Sequence, residues 1–211
     1  DIRKFDDPRQ AGETAVGAMN FLANTDSLII DLRRCQGGDP DMVALISSYL
    51  FGEERVHLNS FSWREAGTSE QYWTLPYVPG KQYGDKPVYV LTGRETFSGG
   101  EEFAYNLKVR KRATLVGETT RGGANIGAPY RIHPHYEVFI PIGRPVNPVT
   151  GTNWEGSGVT PDVPVTQEQA LPVAYRMALE AILEKLGEAT AGAYKGLAEE
   201  AREALADLDK P

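Results

Sequence analysis

Pro87-Val88-Tyr89-Val90-Leu91-Thr92, followed by Thr96-Phe97-Ser98-Gly99-Gly100-Glu101-Glu102, is the stretch on which the reading of this chain turns. The first part is a short, apolar, β-branched run of the kind a buried strand uses. After the second, Phe103, Leu107 and Val109 recur at roughly helical spacing with no Gly or Pro between them. Ser98 therefore stands where a strand passes through a short turn into a helix. A hydroxyl there is held by rigid elements on both sides, beside the free N–H groups that open a helix and can stabilise an oxyanion. Ser98 and Glu101 also have the spacing of a capping box, in which the serine only satisfies helix amides. Gly99-Gly100 favours the chemical reading, because glycine is a poor helix former whose use is to let something approach the backbone closely.

Outward from this corner, Asp7-Pro8 predicts a helix start, with an apolar stripe through Ala15, Met19 and Leu22 ending near Asn24. Residues 26–32 read as a central strand that runs into Arg33-Arg34-Cys35-Gln36-Gly37-Gly38. Asp39-Pro40 opens a second helix that ends at Gly52, so strand, Gly-Gly turn and helix occur twice. The first Gly-Gly turn lacks the Lys-Ser/Thr of a P-loop and the spacing of a dinucleotide fingerprint. It is either a tight turn or a second source of backbone N–H. The alternation of Val56, Leu58, Phe61, Trp63, Tyr72, Trp73 and Leu75 predicts two strands, and residues 76–85 a loop. Ala113–Gly117 reads as a buried strand and Glu118–Gly127 as a mobile, glycine-rich loop suited to wrapping a ligand. Tyr130–Ile132 and Tyr136–Ile142 are expected to pair around Pro134, and Asn153–Asp162 to be irregular. Thr166 is expected to cap a long helix, with a break near Gly187–Gly192 before a terminal Ala/Glu-rich helix to about Leu208.

The 211 residues fit one large domain or one domain with an appendage, and 41% hydrophobic content supports a sizeable core. A formal charge of −7 with scattered Lys and Arg argues against a nucleic-acid partner. No apolar run approaches the ~20 residues of a membrane span. The one cysteine, Cys35, cannot form an internal disulfide and leaves the redox compartment open. Asp1-Ile2-Arg3-Lys4-Phe5 has no initiator Met and looks like the end of a strand, so the chain is expected to be a piece of a longer product.

Four segments, in order, match one pattern: Leu28–Arg33 with Gly37-Gly38, then Thr96–Glu101, then Val116–Thr119 with Gly122-Gly123, then Gly158-Val159-Thr160-Pro161-Asp162. Together they resemble the C-terminal processing (tail-specific) serine protease family over about residues 1–185. The spacing, with Tyr72-Trp73-Thr74-Leu75-Pro76, is most similar to its interphotoreceptor retinoid-binding protein and tricorn-like branches. The resemblance implies an α/β fold with a ClpP/crotonase-like core of strand-strand-helix units at residues 1–165. Residues 166–211 would be C-terminal helices that pack on this core or on a partner, including a second copy in a homo-oligomer. It implies Ser98 as nucleophile, Gly99 with Gly37 or Gly38 as oxyanion hole, a peptide or protein substrate, and an extracytoplasmic setting.

The general base is harder to place. Many family members use a Lys where this chain has Gly123. Lys108 and Lys111 lie ten or more residues along the helix of Ser98, about 15 Å or more away. The tricorn-like branch uses a His near the first strand, oriented by a Glu; Glu155 stands where that Glu is expected, and the His would fall at or before Asp1. His133 and His135 are the local candidates for a base or a cleft position, with a surface turn or a two-His metal site as other readings of their spacing. Glu101 is read as a helix cap, Glu118 as a brace for the glycine-rich loop, and Arg33 with Asp31 as an ion pair. No cofactor is implied. Two functions remain open: a serine endopeptidase, or a non-catalytic carrier of a lipophilic ligand such as a retinoid or fatty acid, in a cleft lined by Trp63, Trp73, Tyr130 and Trp154.

Overall fold

Two Asp-Pro steps start the first two helices of the computed structural model, which describes residues 1–187 and 193–210. Asp7 accepts the Arg9 N–H at 2.9 Å ahead of α1 (Pro8–Leu22), and Asp39 accepts the Asp41 N–H at 2.9 Å ahead of α2 (Pro40–Leu50). Between them lies β1 (Leu28–Asp31). The chain continues through β2 (His57–Trp63), β3 (Thr68–Trp73), β4 (Val88–Thr92), α3 (Gly99–Val109) and β5 (Thr114–Gly117). A long hairpin of β6 (Ile126–His133) and β7 (Tyr136–Val146) follows, then β8 (Val163–Pro164), α4 (Ala170–Leu186) and α5 (Ala193–Leu208).

Strands β1, β4, β5 and β8 form a parallel sheet in the order β1-β4-β5-β8, with Ile30 opposite Val90 and Val90 opposite Leu115. A parallel sheet needs cover on both faces. On one side Phe5, Leu32, Leu50, Phe103, Leu107 and Leu115 form the main core with α2 and α3. On the other, Ala170, Ala174 and Ala178 bring α4 against Tyr89, Leu91 and Val116. A four-residue alanine repeat puts no bulk between helix and sheet, and the Tyr89 hydroxyl donates to Met177 O at 3.1 Å. The second sheet is antiparallel, in the order β3-β2-β7-β6. Among the described residues no helix is long and apolar enough to cross a membrane.

The architecture is the expected mixed α/β one with C-terminal helices, and it departs from the sequence reading in three places. Strands β6 and β7 are eight and eleven residues long, well beyond the short pair expected around Pro134. Pro129, Pro141 and Pro145 look like strand breakers, but each is paired on one side only, opposite Phe139, Gly127 and Phe61, because β7 meets β6 up to Gly143 and β2 from Gly143 on; a missing N–H is tolerated at such edge positions. β8 escapes notice because it is two residues long and ends in proline. Thr166 stands one turn ahead of α4: its carbonyl accepts from Gln169 and Ala170, and the helix proper begins after Gln169. Of the expected break, Gly187 ends α4 at φ 57°, and residues 188–192 lie outside the described residues.

Candidate active site

Both Gly-Gly turns leave the carboxyl ends of neighbouring parallel strands, so they face each other. The second is anchored to the first: Phe97 N–H donates to Cys35 O at 2.9 Å and Thr96 Oγ1 to Leu32 O at 2.8 Å. Thr96 Oγ1 also accepts the Gly93 N–H at 3.0 Å. These ties hold Ser98 at φ 51°, ψ −121°, a backbone state that non-glycine residues rarely adopt and that costs about 1–3 kcal/mol. Gly37, at φ 93°, is the complementary part: a Cβ there would lie 2.7 Å from Ser98 Cβ and 2.8 Å from Gly99 N. Ser98 and Glu101 face each other as in a capping box, and Glu101 Oε2 accepts the Ser98 N–H at 3.0 Å. Ser98 lines an open cleft of about 660 Å³.

Two amides converge on that cleft. Ile2–Phe5 run beside the first turn, where Phe5 N–H donates to Gly37 O at 2.8 Å and Asp39 N–H to Phe5 O at 2.7 Å. Gly37 is buried beside the Cys35 thiol, which burial pushes up in pKa. Gly38 is exposed and lines the cleft with Gly99. A Cβ on Gly99 would lie 3.0 Å from Gly38 N, and among the described residues neither N–H donates to another group. Of the two glycines in the first turn, Gly38 is thus the one presented.

The loop after β5 is fastened rather than mobile, because two carboxylates take up its amides. Glu101, fully buried, accepts from Thr120 Oγ1 at 2.5 Å, Gly122 N at 2.6 Å and Gly123 N at 2.9 Å besides Ser98 N. Glu155 Oε2 accepts from Ala124 N at 2.7 Å and Asn125 N at 2.8 Å. The brace is therefore Glu101, well beyond its expected role as a cap, whereas Glu118 pairs with Arg94 at 3.4 Å. Gly123 leaves no room for a side chain beside the Phe97 ring, since a Cβ there would meet Phe97 Cε2 at 2.0 Å. Arg33 and Asp31 form the expected ion pair, at 2.7 Å.

Glu155 lines the same cleft as Ser98, Gly38 and Gly99. His133 and His135 do not reach it. They are exposed at the tip of the β6–β7 hairpin, with His135 N–H donating to His133 Nδ1 at 3.2 Å. Gly127 lines the cleft, and His133 is six residues further along β6, about 20 Å at strand rise. Of the four aromatics expected in the cleft, Trp154 lines it and Trp63, Trp73 and Tyr130 do not. Trp73 instead stacks on His57 at 4.5 Å. The apolar walls are Phe61, Phe97, Ile126, Phe139, Pro141 and Trp154. Sequence reasoning missed Glu102, which also lines the cleft and whose carboxyl burial pushes up to about 8. Its position four residues after Ser98, on the same helical face, was the available signal.

The fold is shared with known proteins. The photosystem II D1 C-terminal processing protease superimposes with a TM-score of 0.59 at 22% identity, over 79% of this chain and 41% of that one. Mature CPAF gives 0.65 at 15% identity, over 81% and 46%. A lipoprotein from Streptococcus agalactiae gives 0.61 at 16% identity, over 83% and 62%. The chain thus spans about 41–62% of the length of these structures, and the likeness is one of fold. A model of the peptidase S41 family matches residues 1–165, so the chain belongs to peptidase family S41.

Proposed function

We propose that this chain carries the core of a serine peptidase in which Ser98 is the nucleophile. Ser98 Oγ attacks the scissile carbonyl of a bound peptide, and the Gly38 and Gly99 N–H groups receive the oxyanion as the carbonyl carbon becomes tetrahedral. The amine leaves with a proton, an acyl-enzyme forms on Ser98, and water releases it. Glu155 has one oxygen engaged by two loop amides and stands at the cleft, where it can orient the base that takes the Ser98 proton. Gly123 offers no room for a lysine base while Phe97 keeps its place.

The observation that carries this reading is Ser98 held at φ 51° beside two unclaimed amides from separate turns. A fluorophosphonate probe tests it: labelling of the protein is expected, with loss in Ser98→Ala. The apolar walls of the cleft favour one second reading, a carrier of a lipophilic ligand on the same fold. Quenching of tryptophan fluorescence by retinol or a fatty acid, with no labelling of Ser98, would replace the peptidase by the carrier.

A further inference from the structure

One helical turn beyond Ser98, the cleft wall holds a carboxyl group that the fold leaves almost unpartnered. Glu102 is only 4% exposed. Its one hydrogen bond among the described residues comes from Asn59 Nδ2 to Oε1 at a long 3.4 Å, and Oε2 receives none. A buried carboxyl is ordinarily matched by a cation or by several donors. Neither is supplied here: only burial and Asn59 act on it. The nearby Tyr72 adds no cation. The Tyr72 hydroxyl is held well above its usual range by burial and by Glu70, Asp41 and Glu102. Asp41 is raised in turn by burial and by Asp39, Glu70 and Asp7, with Arg9 as the one opposing cation.

Much of the same cleft is apolar, through Phe61, Ile126, Phe139 and Pro141. Of the two carboxyls that line it, Glu155 is engaged by the Ala124 and Asn125 amides, so apolar walls with one donor-poor carboxyl at Glu102 fit a side chain that has a hydrocarbon stem and a charged end. We propose that Glu102 is a specificity-determining residue, and that the cleft takes a peptide whose residue before the scissile bond is arginine or lysine. The methylenes lie against the apolar walls and the cationic head meets Glu102. The substrate brings the counter-charge that the fold withholds, and the carboxyl releases its proton as the cation arrives. A neutral residue of the same length gains the apolar contact and leaves the carboxyl unmatched. The assignment of this position relative to the scissile bond rests on the peptidase reading of Ser98.

Binding to the Ser98→Ala protein tests the pocket without needing turnover. Calorimetry with N-acetyl-Ala-Ala-Arg amide and its citrulline and norleucine counterparts compares one cation with a near-isosteric neutral group and an apolar stem. Arginine is expected to bind about tenfold or more tighter than citrulline. That preference should collapse in the Glu102→Gln, Ser98→Ala double variant, with norleucine affinity kept within about twofold. Equal or weaker binding of the arginine peptide to the Ser98→Ala protein would overturn the proposal with no second variant needed. So would a preference that survives Glu102→Gln. Ser98-dependent probe labelling alongside such a result would sink the specificity claim alone, whereas failed labelling with arginine preference intact would sink the peptidase reading alone.

Discussion

The two walls that meet at the start of α3 treat neighbouring carboxylates in opposite ways. On the side of the loop after β5, Glu101 is fully buried and receives four hydrogen bonds, three of them from residues 19–22 positions away. On the side of β2 and β3, Glu102 is nearly as buried and receives one long bond. Both lie in the first turn of one helix, so neither helix propensity nor the dipole separates them. The difference lies in what faces each of them. A ring of donors makes Glu101 part of the scaffold that aims Ser98, while the bare setting of Glu102 leaves it available to something that is not part of the chain. Burial alone therefore does not distinguish a structural acid from one that awaits a ligand; the count of donors does.

The largest effect should come from breaking the first wall. Glu101→Ala strands the Gly122 and Gly123 amides and the Thr120 hydroxyl, at a cost of about 4 kcal/mol or more. Urea unfolding should show that loss, and probe labelling at Ser98 should fall with it; a stable variant with normal labelling would mean the loop is held by other ties.

The next effect sharpens the contrast through pH. Burial raises the folded-state pKa of Glu102 from 4.5 to about 8, so the folded protein keeps a proton that the unfolded chain loses. The stability from this group is then fully present below about pH 4.5 and is lost as pH rises towards 8, by linkage on the order of 3 kcal/mol or more. Glu102→Gln should flatten the stability profile across that window, and be more stable than the wild type at pH 8. Parallel profiles for the two proteins would show that the carboxyl is matched after all. The smallest effect is expected from Asn59→Leu. Removing the one donor should cost about 1–2 kcal/mol and move the pH-dependent loss to a more alkaline range, because that hydrogen bond lowers the Glu102 pKa.

Much of the fold was legible because its signals are local. Asp-Pro at positions 7–8 and 39–40 marks helix starts whatever follows, and the apolar runs of β1, β4 and β5 need no distant partner to be read as buried strands. The corner at Ser98 was visible for the same reason. What escaped depends on pairing across distance. Pro129, Pro141 and Pro145 break a strand by composition, and only the staggered pairing of β7, with β6 at one end and β2 at the other, shows why they do not. Glu101 shows its local partner three residues back, whereas its contacts at 120–123 follow from how the loop folds over α3. Asn59, the one side-chain partner of Glu102 among the described residues, comes from β2, 43 residues earlier in sequence. The paired histidines misled in the opposite way: 133 and 135 are conspicuous in sequence, and the straight run of β6 carries them away from the cleft.

The seat of the Phe97 ring over Gly123 couples the two positions. Any side chain arriving at 123 would have to turn this half-buried ring aside, so residues 97 and 123 are expected to vary as a pair rather than one at a time.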